Sequence, residues 1–253
     1  TDAVQVNGKA TLTAQQLDLQ NASNDFKGTL ELAVTGKANI VDGNDLVLNG
    51  HAQTLNVTVG GSLTAGDLEM GNGTLAASTI QMNQLNVLDA ARLQANTVTQ
   101  TEANQSGGEI TIAADTVNLA LENDFKGNVI LENVGTATIH YSNQLVLSGS
   151  ANALNVKAAH VKQYAALKVA GRTNFDAESV ELMSANNDFE GVVDLQVKGT
   201  ALLRDANSVT VQGSAGALNV TANVLEQSAA VDVFGKVGDV SDVAELVVDA
   251  VFK

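Results

Sequence analysis

The chain has 253 residues, 45% of them hydrophobic, which is ordinary for a folded domain. Its formal charge of −15 at pH 7 repels nucleic-acid phosphates and anionic lipid headgroups, so both are disfavoured as partners. The absence of cysteine excludes a disulfide framework and thiolate metal sites.

The apolar residues are mostly aliphatic, because aromatic residues make up only 3% of the chain and tryptophan is absent. Mid-sized aliphatic side chains suit thin, regular layers, and this favours a stack of repeated coils. No stretch reaches the roughly 18 consecutive apolar residues of a membrane span. The chain opens at Thr1 with neither a methionine nor a signal-like segment, so we expect a processed form or an excised piece.

Taken in chain order, the sequence is organised by a five-residue motif, Asn-Asp-Phe-x-Gly, which we call the marker. We interpret the marker as structural, with phenylalanine filling the interior of a coil while asparagine and glycine shape the turn. We therefore expect the three phenylalanines to be buried at equivalent azimuths of successive coils. The marker residues are Asn24, Asp25, Phe26 and Gly28, then Asn123, Asp124, Phe125 and Gly127, and then Asn187, Asp188, Phe189 and Gly191.

Each marker is followed by triplets of the form apolar-x-apolar, such as Leu30-Glu31-Leu32 and Ala38-Asn39-Ile40. This alternation puts two apolar side chains on one face and is typical of short strands. Asn123 and Asn187 lie 64 residues apart, which divides into three coils of about 21 residues with three short strands each. The sequence therefore predicts an all-β protein built as a parallel β-helix (β-solenoid).

Two segments depart from this spacing. The first two markers lie 99 residues apart, and we assign the surplus to an added coil plus a loop outside the stack at the polar run Thr99–Gly108. From residue 237 onward the sequence fits a short helix about as well as a strand. We therefore predict a β-helix repeat domain over residues 1–236 and a C-terminal cap or inter-subunit contact segment over residues 237–253.

The run Gly107–Ala114 reads Gly-Gly-Glu-Ile-Thr-Ile-Ala-Ala and leads to the second marker. Together they resemble the repeats of filamentous-haemagglutinin-type adhesins, and the resemblance spans nearly the whole chain. It implies a right-handed β-helix in a bacterial protein that is secreted through the two-partner pathway. No segment resembles the N-terminal secretion domain of those adhesins.

The best metal candidate on composition is the cluster of Asp42, Asn44 and Asp45. Calcium takes about six to eight oxygen ligands, and a marker aspartate supplies one carboxylate per site. The positions that correspond to the cluster read Ser142-Asn143-Gln144 and Ala206-Asn207-Ser208 in the later repeats. A turn is therefore the favoured interpretation, with calcium as the alternative, and we expect no metal and no cofactor.

Nothing in the sequence groups catalytic side chains. His51, His140 and His160 fall in different phases of the repeat, and the common nucleophile, zinc-protease and phosphate-binding motifs are absent. Some parallel β-helix enzymes cut acidic polysaccharides, but lysine, arginine and aromatic platforms for sugar rings are scarce here. We therefore expect a non-catalytic protein, in which asparagines at the turns stack into hydrogen-bonded ladders.

The sequence favours an extracellular structural and adhesive module of a bacterial surface or secreted fibre protein. The expected partner is a host or bacterial surface receptor or glycan, together with end-to-end self-association of copies. Neither nucleic acid nor a membrane span is expected. The alternative is a self-assembling filament or surface-layer subunit, and a polysaccharide-active β-helix enzyme is less favoured.

Overall fold

A computed structural model describes residues 2–234 and 245–246. They are all-β, with parallel strands stacked as a β-solenoid of about 13 turns, about 18 residues apart. The parallel β-solenoid predicted from the triplets is confirmed. None of the described residues forms a helix with the length and apolar character of a membrane span. The chain divides into two compact units, 1–127 and 128–253.

The strands of the first unit are β1 (Gln5–Val6), β2 (Ala10–Ala14), β3 (Leu17–Leu19), β4 (Asp25–Phe26), β5 (Thr29–Asp42), β6 (Leu46–Val59), β7 (Ser62–Ala76), β8 (Thr79–Gln100), β9 (Gln105–Ser106) and β10 (Glu109–Phe125). The strands of the second unit are β11 (Val129–Tyr141), β12 (Gln144–Val169), β13 (Thr173–Leu182), β14 (Asp188–Phe189), β15 (Val192–Arg204), β16 (Ser208–Thr221), β17 (Val224–Val233) and β18 (Glu245–Leu246).

Within each unit, successive turns pair in parallel register. In the first unit β5 pairs with β6, with Leu30 opposite Leu48, and in the second unit β15 pairs with β16, with Val193 opposite Val211. All four side chains are buried. Because side chains alternate between the two faces of a strand, this register stacks aliphatic residues into columns that form the core.

The turns are shorter than the coils predicted from the marker spacing, and the triplets are not separate strands. Strand β5 contains both Leu30–Leu32 and Ala38–Ile40, joined across a register shift between Val34 and Lys37. The chain therefore bends at an irregularity without ending the strand. The predicted length assumed that every marker lies at one azimuth, whereas at about 18 residues per turn the 99-residue interval spans about 5.5 turns.

The three marker phenylalanines are buried, with at most 2% of each exposed. Phe125 pairs with Ser106, which is hydrogen-bonded to Val87, and that column continues over three further turns through Met70 and Ala52 to Val34. Phe26 lies outside that column. The expectation of equivalent azimuths is therefore wrong for Phe26 and Phe125, and the marker identifies a type of corner that occurs on more than one side of the solenoid.

The run Thr99–Gly108 is part of the stack, so the predicted loop outside it is wrong. Asn104 and Ser106 are buried, and β9 pairs in parallel with β10. Polar composition misled the prediction because the buried polar atoms of this run are hydrogen-bonded to neighbouring turns.

The predicted C-terminal segment, 237–253, lies outside the described residues except for β18. This short strand pairs in parallel with Val224 and Leu225 of β17.

Candidate functional site

The marker asparagine is the buried polar centre of its corner. Asn187 is fully buried, and its Oδ1 accepts the Leu167 N–H of the preceding turn at 2.9 Å. Its Nδ2 donates to the carbonyl of Leu182 at 3.1 Å and to the carbonyl of Arg204, in the following turn, at 3.0 Å. Asn24 makes the corresponding contacts in the first unit. Buried backbone N–H and C=O groups must be hydrogen-bonded, and one side chain here pairs with such groups of three successive turns.

The marker glycine lets two turns approach each other closely. A Cβ atom on Gly127 would overlap the backbone of Gly108 in the preceding turn, and one on Gly191 would overlap the backbone of Gly171. Space alone therefore requires glycine. The asparagine, phenylalanine and glycine of the marker thus have structural roles.

The residues of the calcium candidate bond to backbone donors of the corner. Asp42 is buried, and its two carboxylate oxygens accept the N–H groups of Phe26 and Asn44, each at 2.8 Å. Asp45 Oδ1 accepts the N–H of Ser62 in the next turn at 2.7 Å. Across residues 2–234, no three acidic, histidine or cysteine side chains converge in a group that could hold a metal ion. These hydrogen bonds to backbone N–H groups give Asp42 and Asp45 a structural role at the corner.

Asp205 repeats this arrangement in the second unit, and sequence reasoning missed it. Its carboxylate oxygens accept the N–H groups of Phe189 and Asn207, each at 2.7 Å. Burial raises the pKa of Asp205, and the charge of Asp188 adds to the rise, while the two backbone hydrogen bonds oppose it. The available signal was that Asp42 and Asp205 follow the first and third marker asparagines at the same distance, where the second copy has Tyr141.

The raised pKa of Asp205 predicts how acid acts on this corner. The folded chain holds the Asp205 proton more tightly than the unfolded chain does. The stability from this group is therefore fully present below its ordinary pKa of 3.8 and is lost as the pH rises through the folded value. An amide does not titrate in this range, so Asp205→Asn removes this dependence.

We expect the free energy of unfolding of the wild type, relative to D205N, to rise as the pH falls from about 7 to about 4. Urea unfolding of both chains at several pH values measures this difference, in which the shared effect of the other carboxyl groups cancels. A difference that stays constant with pH, or that falls on acidification, would contradict the assignment.

The run Asn104–Gly108 is a fourth, altered copy of the marker. The parallel register places Gln105 opposite Asp124 and Ser106 opposite Phe125 of the second copy. Asparagine and glycine keep their positions at the two ends, but serine stands where the other copies have phenylalanine. The asparagine and glycine at a spacing of four were the sequence signal for this copy.

At this altered copy, side chains bridge the step to the preceding turn. The N–H of Leu85 donates to Asn104 Oδ1 at 2.8 Å, and the N–H of Val87 donates to Ser106 Oγ at 3.2 Å. Ser106 Oγ in turn donates to the Val87 carbonyl at 2.8 Å. One turn earlier, β7 and β8 meet through a backbone ladder that includes Leu85 and Val87. The stack is therefore locally opened at this step, between the backbone hydrogen bonds from the Thr101 N–H to Met82 at 3.1 Å and from the Gly108 N–H to Val87 at 2.7 Å.

A groove of about 530 Å³ lies at this opening on the outer face of the first unit. Its size falls within the range of about 300 to 1,000 Å³ that is typical of small-molecule sites. Leu85, Ala103, Ser106 and Gly107 line it together with six polar or charged residues. Those six are Asp67, Gln84, Asn86, Gln105, Asp124 and Lys126.

Carboxylates next to the groove orient its amides. Gln84 Nε2 donates to Glu102 Oε2 at 2.8 Å, and Asn86 Nδ2 donates to Glu69 Oε2 at 3.0 Å. The Lys126 ammonium pairs with Asp124 at 2.6 Å. Since the carboxylates in and beside the groove outnumber this ammonium, the groove is acidic.

The other candidates from the sequence are not gathered at this groove. His51 and His160 are exposed, and the ring of His160 is hydrogen-bonded to Ser179 Oγ at 2.8 Å. An asparagine ladder does form between successive coils, with Asn56 Nδ2 donating to Asn39 Oδ1 at 3.1 Å, but both residues lie within strands β5 and β6 and not at tight turns between strands.

Two segments of the chain, 1–33 and 134–196, match a family described as "Repeats of unknown function (DUF5649)". The first segment contains the first marker and the second contains the third. No curated protein and no solved structure matches the chain. These two segments are therefore similar to repeats of this kind. The resemblance to filamentous-haemagglutinin-type adhesins stays a prediction.

Proposed function

We propose that the chain is a structural and adhesive module of a bacterial surface or secreted fibre protein, working outside the cell and without catalysis. The observation that carries this proposal is the in-register parallel pairing of successive turns. Each turn is tied to the next by backbone hydrogen bonds, as in β5 and β6, and buried asparagines complete the bonding at corners.

Such a stack holds its outer side chains at fixed positions along each unit. The stacking spacing of about 4.8 Å repeats the same surface from turn to turn, and this suits repeated weak contacts with a receptor or a glycan. The net charge of −15 disfavours anionic surfaces as partners.

Bead adherence tests the adhesive part of the proposal. Beads coated with the whole chain are expected to adhere to bacterial or host epithelial cells several-fold more than beads coated with an unrelated acidic protein of similar net charge. Beads coated with urea-unfolded chain provide the matched control for composition. Adherence no higher than that of both controls on every surface would overturn an adhesive role.

An assay for polysaccharide cleavage tests the proposal that the chain is not a catalyst. The chain is incubated with neutral and acidic polysaccharides, and new reducing ends and unsaturated ends are then assayed. The expected result is the same signal as in a protein-free blank. Product that increases with time and with protein concentration would overturn it.

A further inference from the structure

The groove opens where the chain departs from its own marker. Ser106 stands where the other copies have a core phenylalanine, and the side chains of Asn104 and Ser106 replace the part of the backbone ladder at Leu85 and Val87. Local departures of this kind from an otherwise consistent pattern are expected at functional sites. We propose that this groove binds a neutral, hydroxyl-rich oligosaccharide, an inference that rests on the adhesive function proposed above.

The groove's side chains have the chemistry that recognises hydroxyl groups. A hydroxyl both donates and accepts hydrogen bonds, and so does an amide, which carries two N–H donors and a carbonyl oxygen. Gln84 and Asn86 each use one donor on a neighbouring carboxylate, which fixes the direction of the amide and leaves further donor and acceptor capacity. Asp67 supplies carboxylate acceptors and Lys126 supplies an ammonium donor.

The charge of the groove selects among glycans. Asp67 and Asp124 line it, and Glu69 and Glu102 stand behind its amides, against the single ammonium of Lys126. Sulfated and uronic-acid sugars would bring like charge into this acidic surface and be repelled. A neutral sugar bears no such penalty.

The turn spacing suits an extended chain of sugars. Polar side chains stand opposite each other on successive turns, with Glu69 opposite Asn86 and Gln105 opposite Asp124. Adjacent parallel strands are about 4.8 Å apart, which is close to the rise per residue of an extended hexose polymer. Successive sugar residues can therefore meet polar side chains on successive turns.

A groove-filling substitution tests this site. A Cβ atom on Gly107 would lie 3.8 Å from its nearest neighbour, and one on Gly8 would meet nothing within 4 Å. Gly107→Leu therefore fills the groove, and Gly8→Leu is its matched control in the same unit, away from the groove. Urea unfolding checks that both variants fold, and Gln105→Ala, an exposed lining residue, is a second variant in case G107L does not.

Binding is measured by calorimetry with neutral hexasaccharides of glucose, galactose and mannose, and with a heparin fragment and a lysine-rich peptide for comparison. At least one neutral hexasaccharide is expected to bind wild type and G8L alike. The same sugar is expected to bind G107L and Q105A at least about tenfold more weakly. The leucine of G107L occupies the groove, and Q105A removes a hydrogen-bonding partner of the sugar hydroxyls. Binding of the heparin fragment or the peptide alone, no binding of any neutral sugar, or folded groove variants that bind as wild type does would overturn the proposal.

The bead assay separates failure of this inference from failure of the proposed function. If wild-type beads adhere but no neutral hexasaccharide binds, the adhesive function stands and the groove assignment falls. If wild-type beads do not adhere while a neutral hexasaccharide binds in the groove, the adhesive function falls and the groove assignment stands.

Discussion

Gly149→Ala is expected to destabilise the second unit by about 2 to 5 kcal/mol, from left-handed backbone strain plus overpacking. Gly149 has a φ of +104°, and a Cβ atom there would overlap the backbone of Leu131 in the preceding turn. Neither strand can move away, because Leu131 and Gly149 are register partners in paired strands. Thermal and urea unfolding followed by circular dichroism measure the loss.

Gly8→Ala is the control for this substitution. Its Cβ atom would meet nothing within 4 Å, and Gly8 is not among the glycines with positive φ. We expect the stability of G8A to stay within about 0.5 kcal/mol of wild type. If G149A were as stable as G8A, the close approach of the two turns at Leu131 would be refuted.

Asn187→Ala is expected to cost about 3 kcal/mol or more, because leaving a buried polar group unpaired costs about 1 to 3 kcal/mol each. The substitution removes the partner of the Leu167 N–H and of the Leu182 and Arg204 carbonyls, which belong to three successive turns. The loss is measured as a change in the urea midpoint.

Asn186→Ala is the matched control, because the neighbouring Asn186 is exposed and only its backbone N–H makes a described hydrogen bond, to Ser184 Oγ. We expect N186A to stay close to wild type. Equal stability of the N187A and N186A variants would show that the corner does not depend on the buried amide.

Strand faces and core residues followed directly from the sequence. Triplets such as Leu30-Glu31-Leu32 alternate at the period of a strand, and the structure buries both leucines. This worked because a two-residue period has few competing interpretations when aliphatic residues repeat over many turns. Stacking such strands also requires parallel pairing, which the register confirms.

The length of a turn did not follow, because it depends on where along each turn the marker falls. Three copies give two intervals, and neither reveals that Phe26 and Phe125 lie in different columns. A second repeated residue was available, since Gly50, Gly149 and Gly213 each follow a marker asparagine at the same distance. All three have positive φ, between +98° and +104°.

The candidate groove was not predicted from the sequence, because a polar run is expected to form a loop outside the stack. Thr99–Gly108 lacks apolar periodicity, which normally indicates a loop. Asn104 and Ser106 are nevertheless buried, because their side chains take over hydrogen bonds that a ladder would otherwise make. The parallel pairing places Ser106 opposite the core residue Phe125, and the spacing of Asn104 and Gly108 was the one trace of this in the sequence.

A pair of cysteine cross-links tests the stack and its spacing most directly, in a chain that has no cysteine of its own. Asn56 and Thr74 are register partners on adjacent turns, whereas Asn56 and Ala77 would be partners if the turn had the longer length predicted from the markers. A disulfide requires Cα atoms about 4.4 to 6.8 Å apart, which neighbouring strands satisfy at about 4.8 Å. The stack predicts that the double variant Asn56→Cys with Thr74→Cys oxidises readily to an intramolecular disulfide and that Asn56→Cys with Ala77→Cys does not; cross-linking of the second pair, or of neither, would contradict it.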